Sequence, residues 1–448
     1  MSSKIKTVYT CTKCGAQSFK WSGRCLECGG WGTLNEQLVD SNEAKKADDL
    51  KVPAAALINL SQTENSHLSR YKTGIGELDR VLGGGLVSGS LILLGGEPGI
   101  GKSTIVAQIA DCLSAGKEKI IYVSGEESAG QVKGRLERLN CNLKNIGFIS
   151  ETSTEKICSA IRQEKPLLAI IDSIQTVSTA DVPSEAGSLA QIRASAVKFL
   201  EVAKKDGVAV LMIGHITKDG QIAGPKSLEH IVDVVIYLEA DTAGDYRILR
   251  AAKNRFGSVN ELGVFEMTGE GLKEIKNPSL IFLDKESDNI PGSVISSIME
   301  GTRPFLVNIQ ALASKTVFGY PQRRASGFDL NRLQVLAAVI SKKTKFNLTN
   351  QDVIINVVGG LRADDPALDL AVCYSIITSI LNQSADKKTL VLGEVGLGGE
   401  VRNVSKLEAR LKEAVALGFK KAIIPNADIK IPGLEIKKIR SVAELLNL

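Results

Sequence analysis

The sequence predicts an α/β protein of several domains, and three observations carry this prediction. Short apolar runs alternate with helical patterns through the middle of the chain, which indicates a parallel sheet covered on both faces. A similar alternation returns in the last third of the chain. The N-terminus holds two C-x-x-C pairs, the spacing of a small metal-binding module. At 448 residues the chain is long enough for two or three domains.

Composition excludes several classes of protein. The apolar fraction of 44% and the charged fraction of 23% are typical of a soluble globular protein. No run approaches the roughly 18 apolar residues that a membrane span needs, so we expect no membrane partner. The stretch from Met1 to Thr10 has no apolar signal core, which predicts a cytoplasmic protein. The net charge of +5 is compatible with a polyanionic partner but is too small to indicate one.

The N-terminal cysteines have the spacing of a metal site. Cys11 and Cys14 form one C-x-x-C pair, and Cys25 and Cys28 form a second. Each pair is a tight turn that aims two sulfurs at one point, and two pairs complete a tetrahedron around Zn²⁺. A disulfide or a redox-active C-x-x-C is the alternative, but the expected cytoplasmic setting and the paired spacing favour zinc. Four thiolates leave no open position, so residues 1–35 are predicted to form a structural zinc ribbon.

Aromatic and basic residues are interleaved with these cysteines. Phe19, Trp21 and Trp31 accompany basic side chains that outnumber the acidic ones. Stacking on single-stranded nucleic acid would use such rings, and a protein contact would use them too. The alternative is that the rings pack against a very small core, and the sequence favours neither explanation. The charged, alanine-rich residues 36–58 are predicted to be a linker.

A glycine-rich segment predicts a phosphate-binding loop. The apolar run Ser90–Leu94 before it indicates a buried strand, and the apolar spacing of Thr104–Leu113 after it indicates a helix. Strand, glycine turn and helix are the context that a G-x-x-x-x-G-K-[ST] motif requires. The residues expected to bind the cofactor are Gly96, Glu97, Pro98, Gly99, Ile100, Gly101, Lys102, Ser103 and Thr104.

The chemistry of this loop predicts ATP with Mg²⁺ as the cofactor. Backbone N–H groups and the positive end of the following helix would face the phosphates. Lys102 is expected to reach the β- and γ-phosphates, and Ser103 to ligate Mg²⁺. A glycine-rich turn without a ligand is the alternative, but the lysine and the hydroxyl residue in register with the motif disfavour it.

Strands and helices alternate after this loop. The predicted strands are Lys119–Ser124, Ile146–Ser150, Leu167–Asp172 and Val208–Gly214. The helices predicted between them are Ser128–Leu139, Thr154–Gln163 and Gly187–Lys204. Nearly continuous apolar strands between helices are typical of a parallel sheet, and we assign residues 59–276 to this domain.

Polar residues at the carboxyl ends of these strands are candidates for catalysis. Asp172 ends an apolar strand, where a carboxylate can hold Mg²⁺ through water; a helix N-cap is the alternative. Glu126 is the candidate base for water, with Glu127 as the alternative and a charge at a helix N-terminus as the other explanation. His215 ends a neighbouring strand and could sense the γ-phosphate, although a lone histidine is usually structural.

The segment Ala252–Gly257, Ala-Lys-Asn-Arg-Phe-Gly, is not one that a generic nucleotide-binding protein needs. Together with the cysteine pairs and Gly-Glu-Pro-Gly-Ile-Gly-Lys-Ser, it resembles the bacterial RadA (Sms) family of recombination proteins, whose core is similar to the RecA/DnaB class of motors. The resemblance implies a RecA-like fold in which Lys253 and Arg255 reach across a subunit boundary to a neighbour's γ-phosphate. A basic surface cluster at a strand end is the alternative.

The same resemblance implies a function. It implies a DNA-dependent ATPase that assembles as a homo-oligomeric ring, expected to be a hexamer, and moves along single-stranded or branched DNA as a helicase. Recombination, repair and branch migration would be its tasks, and a RecA-type recombinase would be a partner. The polar loop after His215 would face the DNA, which makes Lys218 and Lys226 candidate contacts.

After a linker at 277–290, residues 291–448 predict a second α/β domain, which resembles the proteolytic domain of Lon proteases. The resemblance lies in Gly-Gly-Leu-Arg-Ala-Asp-Asp-Pro-Ala-Leu-Asp and in Gly-Glu-Val-Gly-Leu-Gly-Gly-Glu-Val-Arg. Lon uses a serine activated by a lysine, and the matching positions here hold Ala367 and Glu408. Neither residue can fill its role, so no peptidase activity is expected.

The elements of this domain follow from its periodicity. The predicted strands are Gly292–Met299, Phe305–Ala311, Val353–Val358 and Leu390–Gly393, and the predicted helices are Leu330–Ile340, Pro366–Ile380 and Ser405–Leu417. Ring assembly and DNA contact are its expected roles, with Lys315, Arg323 and Arg324 as candidate phosphate contacts. A solvated basic face is the alternative for each of these three.

Two other functions are compatible with the sequence. An ATP-dependent protease is suggested by the Lon-like half, and Ala367 and Glu408 argue against it. A signalling ATPase similar to those of circadian clocks would use the ring to bind proteins and the ribbon as an adaptor. Stimulation of ATP turnover by single-stranded DNA distinguishes the motor from this second alternative.

Overall fold

The computed structural model describes most of the chain. The described residues are 5–12, 17–18, 20–25, 29–40, 69–116, 118–215, 228–240, 246–275, 277, 279, 290–317, 319–358, 363–386 and 388–447. Five residues singled out above, namely Cys14, Phe19, Cys28, Lys218 and Lys226, lie outside them. Within the described part, no helix is both long enough and apolar enough to span a membrane.

The chain divides into two compact units. The first consists of Met1–Glu239, Leu249–Val259 and Thr268–Leu272, and the second consists of Ala240–Ile248, Asn260–Met267 and Lys273–Leu448.

The N-terminal residues form a small antiparallel sheet. Its strands are β1 (Ile5–Cys11), β2 (Gln17–Ser18) and β3 (Leu34–Asp40), in the order β2-β1-β3. Cys11, Cys25 and Leu34 form its buried core, with Tyr9 packed against them. So small a core buries little apolar surface, which is why a module of this size usually needs a metal or a disulfide.

A larger sheet follows, flanked by helices. Its strands and the short pair before it are β4 (Arg70–Tyr71), β5 (Leu86–Val87), β6 (Leu91–Gly96), β7 (Ile120–Ser124), β8 (Ile146–Ser150), β9 (Leu168–Asp172), β10 (Ala209–His215), β11 (Val234–Ala240), β12 (Tyr246–Asn254), β13 (Leu262–Thr268) and β14 (Gly271–Glu274). The helices are α1 (Gly76–Val81), α2 (Lys102–Ala115), α3 (Ala129–Arg138), α4 (Thr154–Glu164) and α5 (Leu189–Asp206).

The centre of this sheet is parallel, as predicted. Among the described residues the strand order is β14-β13-β12-β11-β6-β10-β9-β7-β8, and the six strands from β11 to β8 pair in parallel. Every residue of β6 and of β7 is buried, which accounts for their continuous apolar sequences. The strands from β11 to β14 were not among the predicted elements. Polar residues interrupt the apolar runs of β12, β13 and β14, whereas β11 was missed although it begins with five apolar residues.

Three of these helices begin at a serine that caps them. Ser128, Ser153 and Ser188 each accept a hydrogen bond from a backbone N–H in the first turn of α3, α4 and α5. At Ser128 the cap is reciprocal with Gln131. Each cap is worth about 1 kcal/mol, so the sequence fixes these helix starts locally.

The second unit is built on a mixed sheet. Its strands are β15 (Ser293–Glu300), β16 (Arg303–Lys315), β17 (Arg323–Ser326), β18 (Gln351–Val357), β19 (Thr389–Val391), β20 (Glu394–Val395), β21 (Val401–Arg402), β22 (Lys421–Pro425) and β23 (Glu435–Ile439). The helices are α6 (Leu330–Lys343), α7 (Asp369–Leu381) and α8 (Leu407–Ala416). The order of the main sheet is β17-β18-β16-β15-β19-β22-β23 in the described residues.

The predicted elements of this unit occur, with several differences. The edge strands β17 and β23 were missed because they are short and rich in charged residues, and β22 was missed although it is apolar. The strands β20 and β21 were missed because two residues are too few for a periodic pattern. The helix predicted from Pro366 begins as a 3-10 turn, Pro366–Leu368, and continues as α7. A large cluster that includes Leu336 and Ile376 and a smaller one around Leu411 form its buried core.

Candidate active site

The phosphate-binding loop connects β6 to α2. Gly101, at the helix N-cap, has φ of +112°, which a residue with a Cβ rarely adopts. A Cβ added to Gly96 would lie 2.6 Å from the carbonyl oxygen of Leu238, so only glycine fits there. No side chain among the described residues caps α2, in contrast to the three serine-capped helices. The first backbone N–H groups of α2 therefore suit an anion, and the loop fits the triphosphate that its motif predicts.

Lys102 occupies the inside of this loop. Its Nζ donates hydrogen bonds to the carbonyl oxygens of Gly96 at 2.8 Å and of Glu97 at 2.7 Å. The side chain is buried, and burial lowers the pKa of Lys102 to about 8, an effect that the charge of Asp172 opposes. Phosphate oxygens are stronger acceptors than these carbonyls, so a bound triphosphate can take the ammonium over.

Two sheet registers bring the other candidates to the same edge. His215, at the end of β10, pairs with Gly96, and Asp172, at the end of β9, pairs with Ser124 at the end of β7. Because the strands are parallel, their carboxyl ends and the residues that follow them form one surface. Glu126 and Glu127 follow Ser124 after one glycine, and the N–H groups of both donate to the hydroxyl oxygen of Ser124.

Asp172 belongs to a network of charged and polar side chains. The hydroxyl of Tyr122 donates to Asp172 at 2.5 Å, and Arg135 donates to that hydroxyl at 2.8 Å. Arg135 also forms an ion pair with Glu127 at 2.6 Å. Burial, followed by the charge of Asp172, raises the pKa of Tyr122, so its hydroxyl keeps its proton and remains a donor near neutral pH. Glu126 lies outside this ion pair and accepts from the hydroxyl of Ser173 at 3.1 Å.

Three buried polar atoms at this edge are unsatisfied. Among the described residues, Arg135 Nε, His215 Nδ1 and Gln175 Oε1 have no hydrogen-bond partner. Burial, followed by the charge of Lys102, lowers the pKa of His215, so the imidazole is neutral near pH 7. An unsatisfied buried acceptor or donor is costly, and a bound ligand or its water would remove that cost.

Lys253 and Arg255 are held at the other end of the sheet. Lys253 Nζ donates to the carbonyl oxygens of Glu229 and Val232, which precede β11. Arg255 pairs with Asp233 at 3.3 Å, while its backbone N–H donates to the Asp233 carbonyl. The buried carboxylate of Asp233 also accepts from Lys204 at 2.6 Å and from the N–H of Leu91 at 3.0 Å. The structure therefore does not bring these two basic residues to the phosphate loop of their own chain.

A close backbone contact fixes this Lys-Asn-Arg-Phe-Gly segment. A Cβ on Gly257 would lie 2.8 Å from the Cα of Gly83, and one on Gly83 would lie 2.9 Å from the Cα of Gly257. Asn254 donates to the carbonyl of Val81, and Arg70 donates to that of Phe256 at 2.7 Å. Packing therefore requires both glycines, and at Gly83 the φ of +78° requires one as well.

The described half of the predicted zinc site is consistent with its assignment. Cys11 and Cys25, one cysteine from each pair, are buried in the same small core. Among the described residues there is no group of three or more histidine, cysteine or acidic side chains that could hold a metal, and the remaining two cysteines lie outside that part. Thiolates are the ligands that structural Zn²⁺ prefers, so the residues fit this metal. Trp21 and Trp31 are 65% and 76% exposed, so neither ring packs into the core.

The basic candidates of the second unit differ in their surroundings. The guanidinium of Arg323 is directed at backbone, donating to the carbonyls of Gln322, Leu348 and Gln351. Lys315 and Arg324 are exposed. These two are therefore better placed than Arg323 to meet a phosphate.

The Lon-like site holds an ion pair in place of a nucleophile. Ala367 is fully buried, and its N–H donates to Asp365. Asp365 also pairs with Arg410 at 2.6 Å, and the Arg410 side chain is fully buried. Glu408 is exposed on α8, where it pairs with Lys412 at 2.6 Å. The polar groups near Ala367 are thus committed to one another.

Sequence reasoning missed three residues of these sites. Tyr122 and Arg135 connect Asp172 to Glu127, and Asp233 holds Arg255. A polar hydroxyl inside the apolar strand β7 was the available signal for Tyr122. For Asp233 it was an acidic residue immediately before an apolar strand. Arg135 had no such signal, because its helix is charged along its exposed face.

Comparisons with known proteins identify the relatives of this chain. The model of the AAA domain family matches residues 59–221, that of subunit ChlI of Mg-chelatase matches residues 315–428, and that of the rubredoxin metal binding domain matches residues 9–36. Among solved structures, a KaiC-like protein from Pyrococcus horikoshii is 20% identical and covers 46% of this chain and 99% of its own, with a TM-score of 0.40.

Relatives that match over the whole length are more informative. DNA repair protein RadA of Bacillus subtilis is 45% identical over 99% of this chain and 98% of its own. The proteins of that name in Pseudomonas aeruginosa and Escherichia coli are 45% and 42% identical, over 99% and 100% of this chain and 99% of each relative. The chain therefore belongs to the RadA family, with a P-loop ATPase core, an N-terminal zinc ribbon and a C-terminal domain of the ChlI and Lon type.

Proposed function

We propose that this protein is a DNA-dependent ATPase that assembles as a homo-oligomeric ring, a hexamer, and acts on single-stranded and branched DNA. Hydrolysis would occur in a pocket shared by two neighbouring subunits and would drive branch migration during recombination and repair. One observation carries the proposal. The phosphate loop and the two basic residues Lys253 and Arg255 of one chain lie at opposite ends of the same strand.

That separation is set by β6. Lys102 contacts the last residue of β6, Gly96, whereas Asp233, the partner of Arg255, contacts the first, Leu91. A strand of six residues is about 17 Å long, which exceeds the reach of a lysine or arginine side chain. Lys253 and Arg255 therefore cannot neutralise the γ-phosphate bound by their own chain. A second copy can bring them there, and a head-to-tail arrangement of that kind forms a ring when the rotation between neighbouring subunits closes.

Each side of the shared pocket would have its own chemistry. On one side Lys102 and Ser103 would hold the phosphates and Mg²⁺, and Asp172 would help to hold the metal. Glu126 is the base for the attacking water, because it is exposed beside Asp172 and Ser173. On the other side, Lys253 and Arg255 stabilise the charge that develops in the transition state. Loss of the γ-phosphate removes these contacts and so changes the subunit boundary.

DNA as the substrate is supported by the names of the relatives, which are DNA repair proteins. In the sequence, Lys218 and Lys226 follow His215, whose strand ends beside Gly96 of the phosphate loop. A neutral His215 that contacts the γ-phosphate would transmit hydrolysis to the segment that holds these two lysines. Lys315 and Arg324 would add contacts from the second unit, and a RecA-type recombinase would supply the branched substrate.

The two rival functions have less support. A protease needs a nucleophile, and the matching position holds the buried methyl group of Ala367. A signalling ATPase would need no DNA, so it predicts turnover that is indifferent to oligonucleotides.

The test compares ATP turnover with and without single-stranded DNA over a range of salt concentrations. We expect DNA to raise turnover severalfold and its binding to weaken steeply with salt, because phosphate contacts release counterions. The Lys102→Ala variant should show no turnover under either condition. Turnover that DNA does not change would reject the motor, and full turnover in Lys102→Ala would reject the phosphate-loop assignment.

A further inference from the structure

Two adjacent glutamates follow β7, and they differ in their exposure and in their contacts. Glu126 is exposed and accepts a hydrogen bond from Ser173. Glu127 is 35% exposed and forms an ion pair of 2.6 Å with Arg135, whose side chain is 15% exposed. An ion pair with so little exposure is less screened by water than one on the open surface, so it restrains Glu127.

Arg135 contacts more than Glu127. It lies in α3, and its Nη2 donates to the hydroxyl of Tyr122 at 2.8 Å and lies 3.6 Å from Asp172 Oδ2. Tyr122 in turn donates to that same oxygen of Asp172 at 2.5 Å. The guanidinium carbon also lies 5.8 Å from the centre of the Tyr122 ring. The guanidinium of Arg135 therefore connects Asp172, the candidate Mg²⁺ residue, to Glu127.

We propose that Arg135 is a positioning residue for ATP hydrolysis. It holds Glu127 away from the attacking water and, with Tyr122, fixes the Asp172 carboxylate. Glu126 is thereby the one carboxylate of the pair that remains available as the base. This inference rests on the proposed hydrolysis at this site.

The physical need for such a residue follows from charge. Asp172, Glu126 and Glu127 lie within a few residues of the same strand ends, where three carboxylates repel one another. A glutamate that is not held could bind Mg²⁺ or the water in an unproductive position. Arginine is suited to the task because it is charged at every accessible pH and its planar fork can contact several acceptors at once.

The test is a double-mutant cycle with Arg135→Gln, Glu127→Gln and the double variant. We expect Arg135→Gln to lower kcat about 10- to 100-fold, to leave KM for ATP within about threefold, and to raise the Mg²⁺ concentration needed for half-maximal turnover. If the two substitutions acted independently, their fold-losses of kcat would multiply in the double variant. We expect the loss in the double variant to be smaller than that product by a factor of at least about ten, because Arg135 acts partly through Glu127. Arg138→Gln, on the exposed surface of the same helix, is the matched control and should resemble the wild type.

Three results would overturn the inference. One is a pair of single effects that multiply in the double variant, which would mean that Arg135 and Glu127 act independently. The second is an unchanged Mg²⁺ requirement in Arg135→Gln. If Arg135→Gln does not fold, Arg135→Lys replaces it in the cycle. The third result is a wild-type kcat in Arg135→Lys, because the contacts of the planar guanidinium would then be unnecessary. A wild-type protein without ATP turnover would instead reject the proposed function.

Discussion

Lys102 has the lowered pKa that matters most for ligand binding. Its ammonium is buried and held by carbonyl groups of its own loop, and burial lowers its pKa to about 8. Binding of a triphosphate favours the charged form, since an opposite charge nearby raises the pKa of a lysine. At a pH where Lys102 of the free protein has lost its proton, nucleotide binding is therefore linked to the uptake of a proton by Lys102.

This linkage predicts a pH dependence of ATP affinity. Below about pH 8 the free lysine already carries its proton, so affinity is constant; above it the proton must be taken up, so affinity falls as pH rises. Between pH 7 and pH 9 the Kd for a non-hydrolysable ATP analogue should increase by about tenfold, as expected for one group with a pKa of about 8. Titration calorimetry measures this, with Lys102→Gln as the control that binds weakly and without this dependence. A Kd that is flat over this range would contradict the assignment of the low pKa to Lys102.

The residues that the sequence could predict are those whose signal is local. Lys102 lies in a motif of consecutive residues between a strand and a helix, and Asp172 ends an apolar run. Tyr122 and Asp172 are 50 positions apart, and only the pairing of β7 with β9 makes them neighbours. Asp233 and Arg255 are likewise joined by the sheet. Chemistry shared between distant strands needs the strand order, which the sequence pattern does not contain.

At the scale of elements, the position of Lys253 and Arg255 depends on a turn of three glycines. The backbone of Gly83, which has φ of +78°, contacts the backbone of Gly257. This contact holds the segment that follows Asn254 in position. Apolar periodicity predicted the central strands because they are buried on both faces. It missed β12 and β13, whose polar residues break the pattern, so the element that carries Lys253 was not predicted from periodicity.

A substitution at Gly83 tests this element. In Gly83→Ala the new Cβ would lie 2.9 Å from backbone at a φ that alanine rarely adopts, so we expect a loss of about 1–3 kcal/mol of stability. The segment with Arg255 would shift, and a misplaced group lowers turnover roughly 10- to 100-fold. Chemical denaturation and DNA-stimulated turnover measure the two effects. Gly134→Ala is the matched control, because that glycine is exposed in α3 with nothing near its Cβ and should gain about 0.5–1 kcal/mol. Equal behaviour of the two variants would mean that the glycine contact does not position the segment.

At the scale of the whole molecule, each chain carries both halves of the proposed site but cannot join them itself. The core and its two basic residues would be complete only in an assembly. The separation across β6 makes the assembly testable by mixing defective subunits.

Mixing Lys102→Ala with Arg255→Ala provides that test. Each variant alone should show little turnover, since every pocket lacks either Lys102 or the Arg255 of the neighbouring subunit. In a ring of equal parts, a pocket is intact when the subunit that binds ATP is the Arg255→Ala chain and its neighbour is the Lys102→Ala chain. About a quarter of the pockets meet this condition in a random head-to-tail ring, so turnover should recover to at most about that fraction of the wild type. The control is a mixture of Lys102→Ala with a Lys102→Ala/Arg255→Ala double variant, in which no pocket is intact and no recovery can occur. If the first mixture is as inactive as the control, although light scattering shows that mixed rings form, then Arg255 does not act across the subunit boundary.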